Sequence, residues 1–302
     1  MVYLILRGRI GNQLFEYAFA EAIRQENKID NIIVDDSEVE NLNWVNSLKD
    51  YRINNIKFVH TRDEMRNYLS PFQILLFKIY HKLCRNKNYQ KKYSFEKRFQ
   101  HLFNSFGIVI CENGYLPFHL NCRKNVLVDG YFQSEKYFYQ YKDIIKENLS
   151  SGFEQSLENY SGIKELRNRN SVCISIKVEH NIGSSLYDVC SKAYWEEAIK
   201  YICSKVENPL FFICSDNVQY VLDNLLDANK YDYVIQDQSQ PVHISLAAMS
   251  ECDHFIIGNT TFGWWAQYLS VNENKIVIAP SKWMLVDMPI DIYQENWRLI
   301  EV

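Results

Sequence analysis

The stretch Tyr3-Leu4-Ile5-Leu6-Arg7-Gly8-Arg9-Ile10-Gly11 decides the fold. Four apolar residues in a row, with no polar alternation, read as a strand buried on both faces, and the glycines after them mark a turn. Apolar residues then recur at Leu14, Phe15, Ala18, Phe19, Ala22 and Ile23, the spacing of a helix with one face in a core. Ile32-Ile33-Val34 is a second buried run. Strand, glycine turn, helix, strand is the opening of a doubly wound α/β domain.

The second half alternates in the same way. Strands are predicted over residues 172–176, 210–214, 233–235, 255–257 and 276–278, with helices over 194–202, 218–226, 244–249 and 264–269. Apolar strands joined by helices imply a parallel sheet covered on both faces. A chain of 302 residues accommodates two such domains, divided here as 1–165 and 166–302. The middle is less regular. From Lys78 to Arg98 it is dense in Lys and Arg interleaved with aromatic and aliphatic residues. That pattern reads either as a solvated helix face or as a patch that touches anionic lipid headgroups.

Composition narrows the function classes. A formal net charge of -4 gives no reason to expect a nucleic-acid partner. The eight cysteines, Cys84, Cys111, Cys122, Cys173, Cys190, Cys203, Cys214 and Cys252, show no close metal or redox spacing. Several lie in apolar runs, where a free thiol acts as a small hydrophobe, and the reading is a reducing, cytoplasmic compartment. The run from Met1 to Leu6 is too short for a signal peptide, and no apolar stretch approaches a membrane span.

Ligands of parallel sheets bind beyond the carboxyl ends of the strands. The segments at those ends are Ser175 to His180, then Ser215-Asp216-Asn217, then Gly258-Asn259-Thr260-Thr261, which leads into a helix beginning near Phe262. Hydroxyls and free N–H groups at helix starts suit a diphosphate. The same residue types are ordinary helix N-caps, so the argument rests on three such loops meeting at one sheet edge.

Several segments resemble glycosyltransferase family 11, the family of the bacterial α-1,2-fucosyltransferases. Gly8 to Ala18 is similar to its amino-terminal Gly-Gly-Leu-Gly-Asn-Gln-Met-Phe-Gln-Tyr-Ala. Asp129-Gly130-Tyr131-Phe132-Gln133-Ser134-Glu135-Lys136-Tyr137-Phe138 resembles its Gly-Tyr-Trp-Gln-Ser-Glu-Lys-Tyr-Phe segment. Phe211 to Asp216, Gly258 to Trp265 and Ile276 to Trp283 follow in family order. The resemblance implies a glycosyltransferase-B-like fold, two facing Rossmann-like α/β domains with the amino-terminal one on the acceptor side. It also implies inverting transfer of L-fucose from GDP-fucose to a galactose hydroxyl, with no metal or other cofactor. Assembly of a surface polysaccharide or O-antigen, on lipid-linked acceptors, is a further implication of the resemblance alone.

One departure stands out. The family usually carries His-x-Arg-Arg-x-Asp after the first donor-domain strand, where this chain has Ser175-Ile176-Lys177-Val178-Glu179-His180. A guanidinium offers a rigid bidentate fork to phosphate, and an ammonium is a single flexible charge. Ser245 also stands where the family places an aspartate, and Arg9 replaces the second glycine of the opening signature. Three readings follow: GDP-fucose bound with Lys177, a different nucleotide sugar or acceptor, or a non-catalytic glycan-binding relative. The candidate catalytic residues are Lys177, Glu179 and His180. The candidate donor-binding residues are Arg7, Gly11, Asn12, Gln13, Ser175, Ser215, Asp216, Asn259, Thr260, Thr261, Phe262 and Trp264. Asp35-Asp36 is the nearest approach to a paired-aspartate metal motif, and helix capping is its simpler reading.

Overall fold

The computed structural model describes residues 1–120 and 125–302; Cys122 lies outside the described residues. The chain forms two compact units, residues 1–149 with 287–293, and residues 150–286 with 294–302.

The first unit holds five parallel strands, β1 (Val2–Ile5), β2 (Ile32–Asp35), β3 (Ile56–Val59), β4 (Ile108–Cys111) and β5 (Val126–Gly130), in the order β3-β2-β1-β5-β4. Its helices are α1 (Ile10–Glu26), α2 (Ser37–Asn41), α3 (Pro71–Cys84), α4 (Tyr89–Ser105) and α5 (Lys142–Ser150). Strand β1 is buried along its length because it is central, with Leu4 opposite Val34 on one side and Val128 on the other. Gly8 turns the chain into α1 with φ 65°, where a Cβ would lie 2.5 Å from Asn12 Nδ2. Gly130 closes β5 at φ 143°, and a Cβ there would come within 2.0 Å of the Cys111 carbonyl oxygen. Only glycine lets the ends of β4 and β5 approach this closely.

The second unit holds six parallel strands, β6 (Ser171–Ile176), β7 (Leu210–Ser215), β8 (Tyr233–Ile235), β9 (His254–Ile257), β10 (Val277–Pro280) and β11 (Arg298–Ile300), in the order β11-β10-β9-β6-β7-β8. Its helices are α6 (Glu154–Glu158), α7 (Ile163–Asn168), α8 (Lys192–Cys203), α9 (Val218–Asn224), α10 (Val242–Ser250) and α11 (Thr261–Leu269). Every strand and helix expected in this half is present. Strands β3, β4, β5 and β11 go unread in the sequence; β3 and β11 are half-exposed edge strands with mixed composition.

Residues 150–165, grouped with the first half in the sequence reading, lie in the second unit. Aromatic contacts hold them there. The Phe153 ring sits 5.4 Å from His243, and Tyr160 lies edge-on to Phe212 at 6.2 Å. The Tyr160 hydroxyl accepts from Asp237 N–H at 3.0 Å. The core of this unit gathers Tyr194, Trp195, Ile199 and Ile202 of α8 against β6, β7 and β9. The Tyr194 hydroxyl is satisfied by the Ile257 carbonyl at 2.6 Å, so a large ring is buried with its polar end paired.

Cys84, Cys111, Cys173, Cys214 and Cys252 are free and buried. Burial pushes their thiols above the ordinary range, so they pack as small hydrophobes. Among the described residues no helix is long and apolar enough to cross a membrane.

Candidate functional site

In the second unit the chain runs from β6 outward through β7 to β8, then returns to place β9 on the other flank of β6. The strand order therefore reverses between β6 and β9. In open α/β sheets that crevice is where ligands sit. The register sets Ser175 opposite Cys214 on β7 and Ile257 on β9, so the three strand-end loops expected from the sequence do converge.

Each candidate has a defined place there. Lys177 follows β6, and its Nζ pairs with the carboxylate of Asp216 after β7. Asp216 also accepts from Val178 N–H at 2.8 Å and Glu179 N–H at 3.2 Å. One carboxylate thus fixes the whole turn after β6. Glu179 and His180 lie exposed beyond it, with His180 in the left-handed region at φ 68°. Ser215 Oγ accepts from Asn217 N–H at 3.1 Å, and the Asn217 side chain caps α9.

Asn259 is a tie-rod. Its buried amide nitrogen donates to the Tyr187 carbonyl at 3.1 Å and the Trp283 carbonyl at 3.0 Å. Thr260 caps α11 through its Oγ1, which accepts from Gly263 N–H at 3.1 Å. Thr261 and Phe262 form the half-buried first turn of that helix. A Cβ on Gly263 would lie 2.9 Å from Ser175 Oγ, so the start of α11 is pressed directly against the end of β6. Lys177, Asn181, Tyr187, Cys190, Gly258 and Thr260 line a small pocket at this edge. Burial raises the Cys190 thiol to about 12, which leaves it an inert wall. Trp264 is fully buried, stacked on Tyr268 at 4.7 Å and edge-on to Trp265 at 5.1 Å. It supports α11 from inside the core and does not line the pocket.

The first unit has its own switch point, between β1 and β5. Arg7 leaves β1 there with its side chain nearly enclosed by acids: Asp129 at 2.6 Å, and Glu38 and Glu112 at 3.5 Å each. Its backbone N–H donates to Glu16 at 2.8 Å. His81 Nε2 lies 2.8 Å from the other oxygen of Asp129. Burial pushes the Asp129 carboxyl up, but Arg7 and His81 outweigh it and hold the group below the usual carboxylate range. Burial pushes the Glu16 carboxyl well above that range. Gln13 is wholly buried and structural, donating to the Gly8 and Val45 carbonyls at 2.9 Å and accepting from Ser47 N–H at 2.8 Å. Gly11 is buried in the first turn of α1, and Asn12 accepts from Gln133 Nε2 at 2.9 Å.

The Asp35-Asp36 pair is divided between two tasks. Asp35, not Asp36, receives the first N–H of α2, from Ser37 at 3.1 Å, and also accepts from Tyr3 at 2.9 Å. Asp36 gathers with Glu40 and His60 in an arrangement of metal-ligand type. Lys49 already stands 3.0 Å from Asp36 and 3.7 Å from Glu40, so an ammonium offsets part of the group's charge. Sequence reasoning missed His81, Glu16, Glu38 and Glu112. Their neighbourhood is visible only once β1, β4 and β5 are set side by side. Asp129 stands in the family-like 129–138 segment, the one signal available.

Residues 1–301 match the model of Glycosyl transferase family 11. The O-antigen biosynthesis glycosyltransferase WbnK of Escherichia coli is 23% identical, covering 98% of this chain and 99% of its own. An alpha-1,2-colitosyltransferase of Escherichia coli is 25% identical over 57% of this chain and 61% of that one. A galactoside 2-alpha-L-fucosyltransferase of Caenorhabditis elegans is 25% identical over 55% of this chain and 49% of that one. Among solved structures, the NodZ alpha-1,6-fucosyltransferase soaked with GDP-fucose matches with a TM-score of 0.53 at 13% identity, over 89% of this chain and 92% of that one. That likeness is one of fold, two parallel-sheet α/β units of the glycosyltransferase-B-like kind. With the family match spanning the chain, the protein belongs to glycosyl transferase family 11 and is a glycosyltransferase.

Proposed function

We propose that the protein transfers L-fucose from GDP-fucose to a galactose hydroxyl of a surface or lipid-linked glycan, forming an α-1,2 linkage with inversion and without a required metal. The observation that carries this reading is the convergence of Lys177, Thr260, Thr261 and the start of α11 at the β6/β9 switch point. The names of its relatives, a galactoside fucosyltransferase among them, support it.

The chemistry asks for three things. The acceptor hydroxyl oxygen bonds to the anomeric carbon as the carbon–oxygen bond to the diphosphate breaks. The electron pair of that bond leaves with GDP, so the developing negative charge needs preorganised donors. The first N–H groups of α11 and the ammonium of Lys177 supply them. The hydroxyl proton passes to a general base, for which the exposed Glu179 and His180 at the strand end are the candidates. Asp216 shares its carboxylate between Lys177 and two backbone N–H groups, so it holds the ammonium at the strand end.

A second reading is favoured by the loop after β6. Serine, lysine and valine in place of histidine and two arginines suit a donor held by fewer charge-assisted bonds, and one relative is named for transfer of colitose. Thermal unfolding with GDP, UDP, CDP and dTDP separates the two. A nucleotide at a hundred times its dissociation constant stabilises the fold by about 2.7 kcal/mol. Selective stabilisation by GDP, followed by fucose transfer to a galactoside, supports the first reading. Selective stabilisation by another nucleotide, or by GDP without fucose transfer, replaces it with the second, and no response to any nucleotide removes both.

A further inference from the structure

Helix α3 buries one side and leaves another bare. Gln73, Phe77, Tyr80 and Cys84 face the core of the first unit. Phe72, Leu75, Ile79 and Leu83 are 47%, 51%, 43% and 52% exposed. At 3.6 residues per turn these four fall within an arc of about 80°, a continuous apolar ridge along the helix. The Phe72 ring extends it onto Phe106, 4.6 Å away at the end of α4. Scattered exposed leucines need no explanation, but an aligned ridge does.

The flank of the ridge is basic. Lys78 and Lys82 project from the arc of α3 next to the apolar one, and Arg85 and Lys87 follow at its end. Between residues 71 and 98 the chain carries eight Lys and Arg against a single acid, Glu96, which is buried. The rest of the protein must therefore be acidic, since the whole has a net charge of -4. Among the described residues no carboxylate pairs with Lys78, Lys82 or Arg85, whereas Lys92 is withdrawn into an ion pair with Glu112.

We infer that the α3 ridge, Phe72, Leu75, Ile79 and Leu83 with Lys78 and Lys82 beside it, docks the protein on an anionic phospholipid surface. Apolar side chains on one arc with ammonium groups on the next is the arrangement of a helix lying in the interface plane. The apolar groups enter the acyl boundary while the lysines stay at headgroup level. Anionic headgroups are the occupant that both halves of the ridge select. A soluble protein partner would need its own acidic rim around an apolar groove, and a second copy would bring like charges together.

The test is co-sedimentation of the full chain with vesicles. The wild type is expected to pellet with vesicles of phosphatidylethanolamine and phosphatidylglycerol, to stay in solution with phosphatidylcholine alone, and to weaken as salt rises. Lys78→Glu/Lys82→Glu is expected to lower the partition coefficient by about tenfold or more. Leu75→Ser/Ile79→Ser is expected to lower it as far, with an unchanged unfolding temperature, since both side chains are already exposed. A wild type left in solution by the anionic vesicles at low salt overturns the inference, whatever the variants do. Variants that pellet like the wild type overturn it also. So does concentration-dependent dimerisation, by sedimentation velocity, that Leu75→Ser/Ile79→Ser abolishes while vesicle binding persists.

Discussion

The carboxylate of Asp216, at the end of β7, holds the ammonium of Lys177 and the backbone N–H groups of Val178 and Glu179 at once. One residue thus sets both the path of the loop after β6 and the position of its cation. Loop geometry and charge placement at the candidate donor edge are consequently coupled.

That coupling separates two substitutions. Lys177→Ala removes a charge and leaves the loop, so turnover is expected to fall about 10²-fold with little change in unfolding temperature. Asp216→Ala also leaves two backbone donors without their acceptor, and a loss of about 1–3 kcal/mol of stability is expected in addition. Steady-state transfer assays with denaturant melts of both variants measure this. Normal turnover by Lys177→Ala would exclude Lys177 from the phosphate site.

Arg7 and Asp129 form a second coupled pair, enclosed in the first unit. Replacing Arg7 by Met leaves Asp129 buried beside other acids, and a loss of about 3–5 kcal/mol is expected. Asp129→Asn in the same chain should return part of it. A double-mutant cycle by urea unfolding reads the coupling, and strictly additive losses would show that the pair does not interact.

Glu96 sets a pH dependence. Burial lifts its carboxyl to about 7, against the lowering effect of the Tyr80 hydroxyl at 2.5 Å and the Glu112 N–H. The folded value lies above the unfolded one of about 4.3, so the folded state binds the proton more tightly. This contribution to stability is complete below the unfolded value and is lost as pH rises through about 7. The Glu96→Gln variant should therefore gain on the wild type by a few kcal/mol between pH 5 and pH 8, since each pH unit between the unfolded and folded values is worth roughly 1.4 kcal/mol. Parallel melting curves for the two proteins across that range would refute the assignment.

Gly263 tests the contact between α11 and β6. A methyl group there would meet Ser175 Oγ at 2.9 Å and Ile257 Cβ at 3.2 Å. Gly263→Ala is expected to cost about 1–3 kcal/mol through overpacking, despite the better helix propensity of alanine. Adding Ser175→Gly should recover part of the loss. A stabilised Gly263→Ala protein would mean that the helix start stands away from the strand.

Much of the fold is legible in the sequence because it rests on local periodicity. The unbroken apolar runs at Tyr3, Val172, Leu210 and Phe255 announce buried parallel strands, and helical spacing fills the gaps between them. Strand β5 is harder to read, since Asp129 and Gly130 close it with a polar residue and a glycine that only its contact with Cys111 explains. The lysine-rich run is legible as a charge pattern, but only packing shows that Lys92 is half-buried in an ion pair with Glu112 and that Lys78 and Lys82 border an apolar ridge.

By itself, then, the sequence determined the class of fold, the family, and which loops carry polar groups at strand ends, because these follow from side-chain period and motif order along the chain. Tertiary structure alone decided which of those groups are spoken for. Gln13 and Asn259 are consumed as ties between loops, Trp264 is sealed in the core, and Arg7 is neutralised by acids. The physical reason is that hydrogen-bond and ion-pair partners come from strands far apart in sequence, and a polar side chain does not declare whether its partner is a ligand or its own protein until those strands are paired.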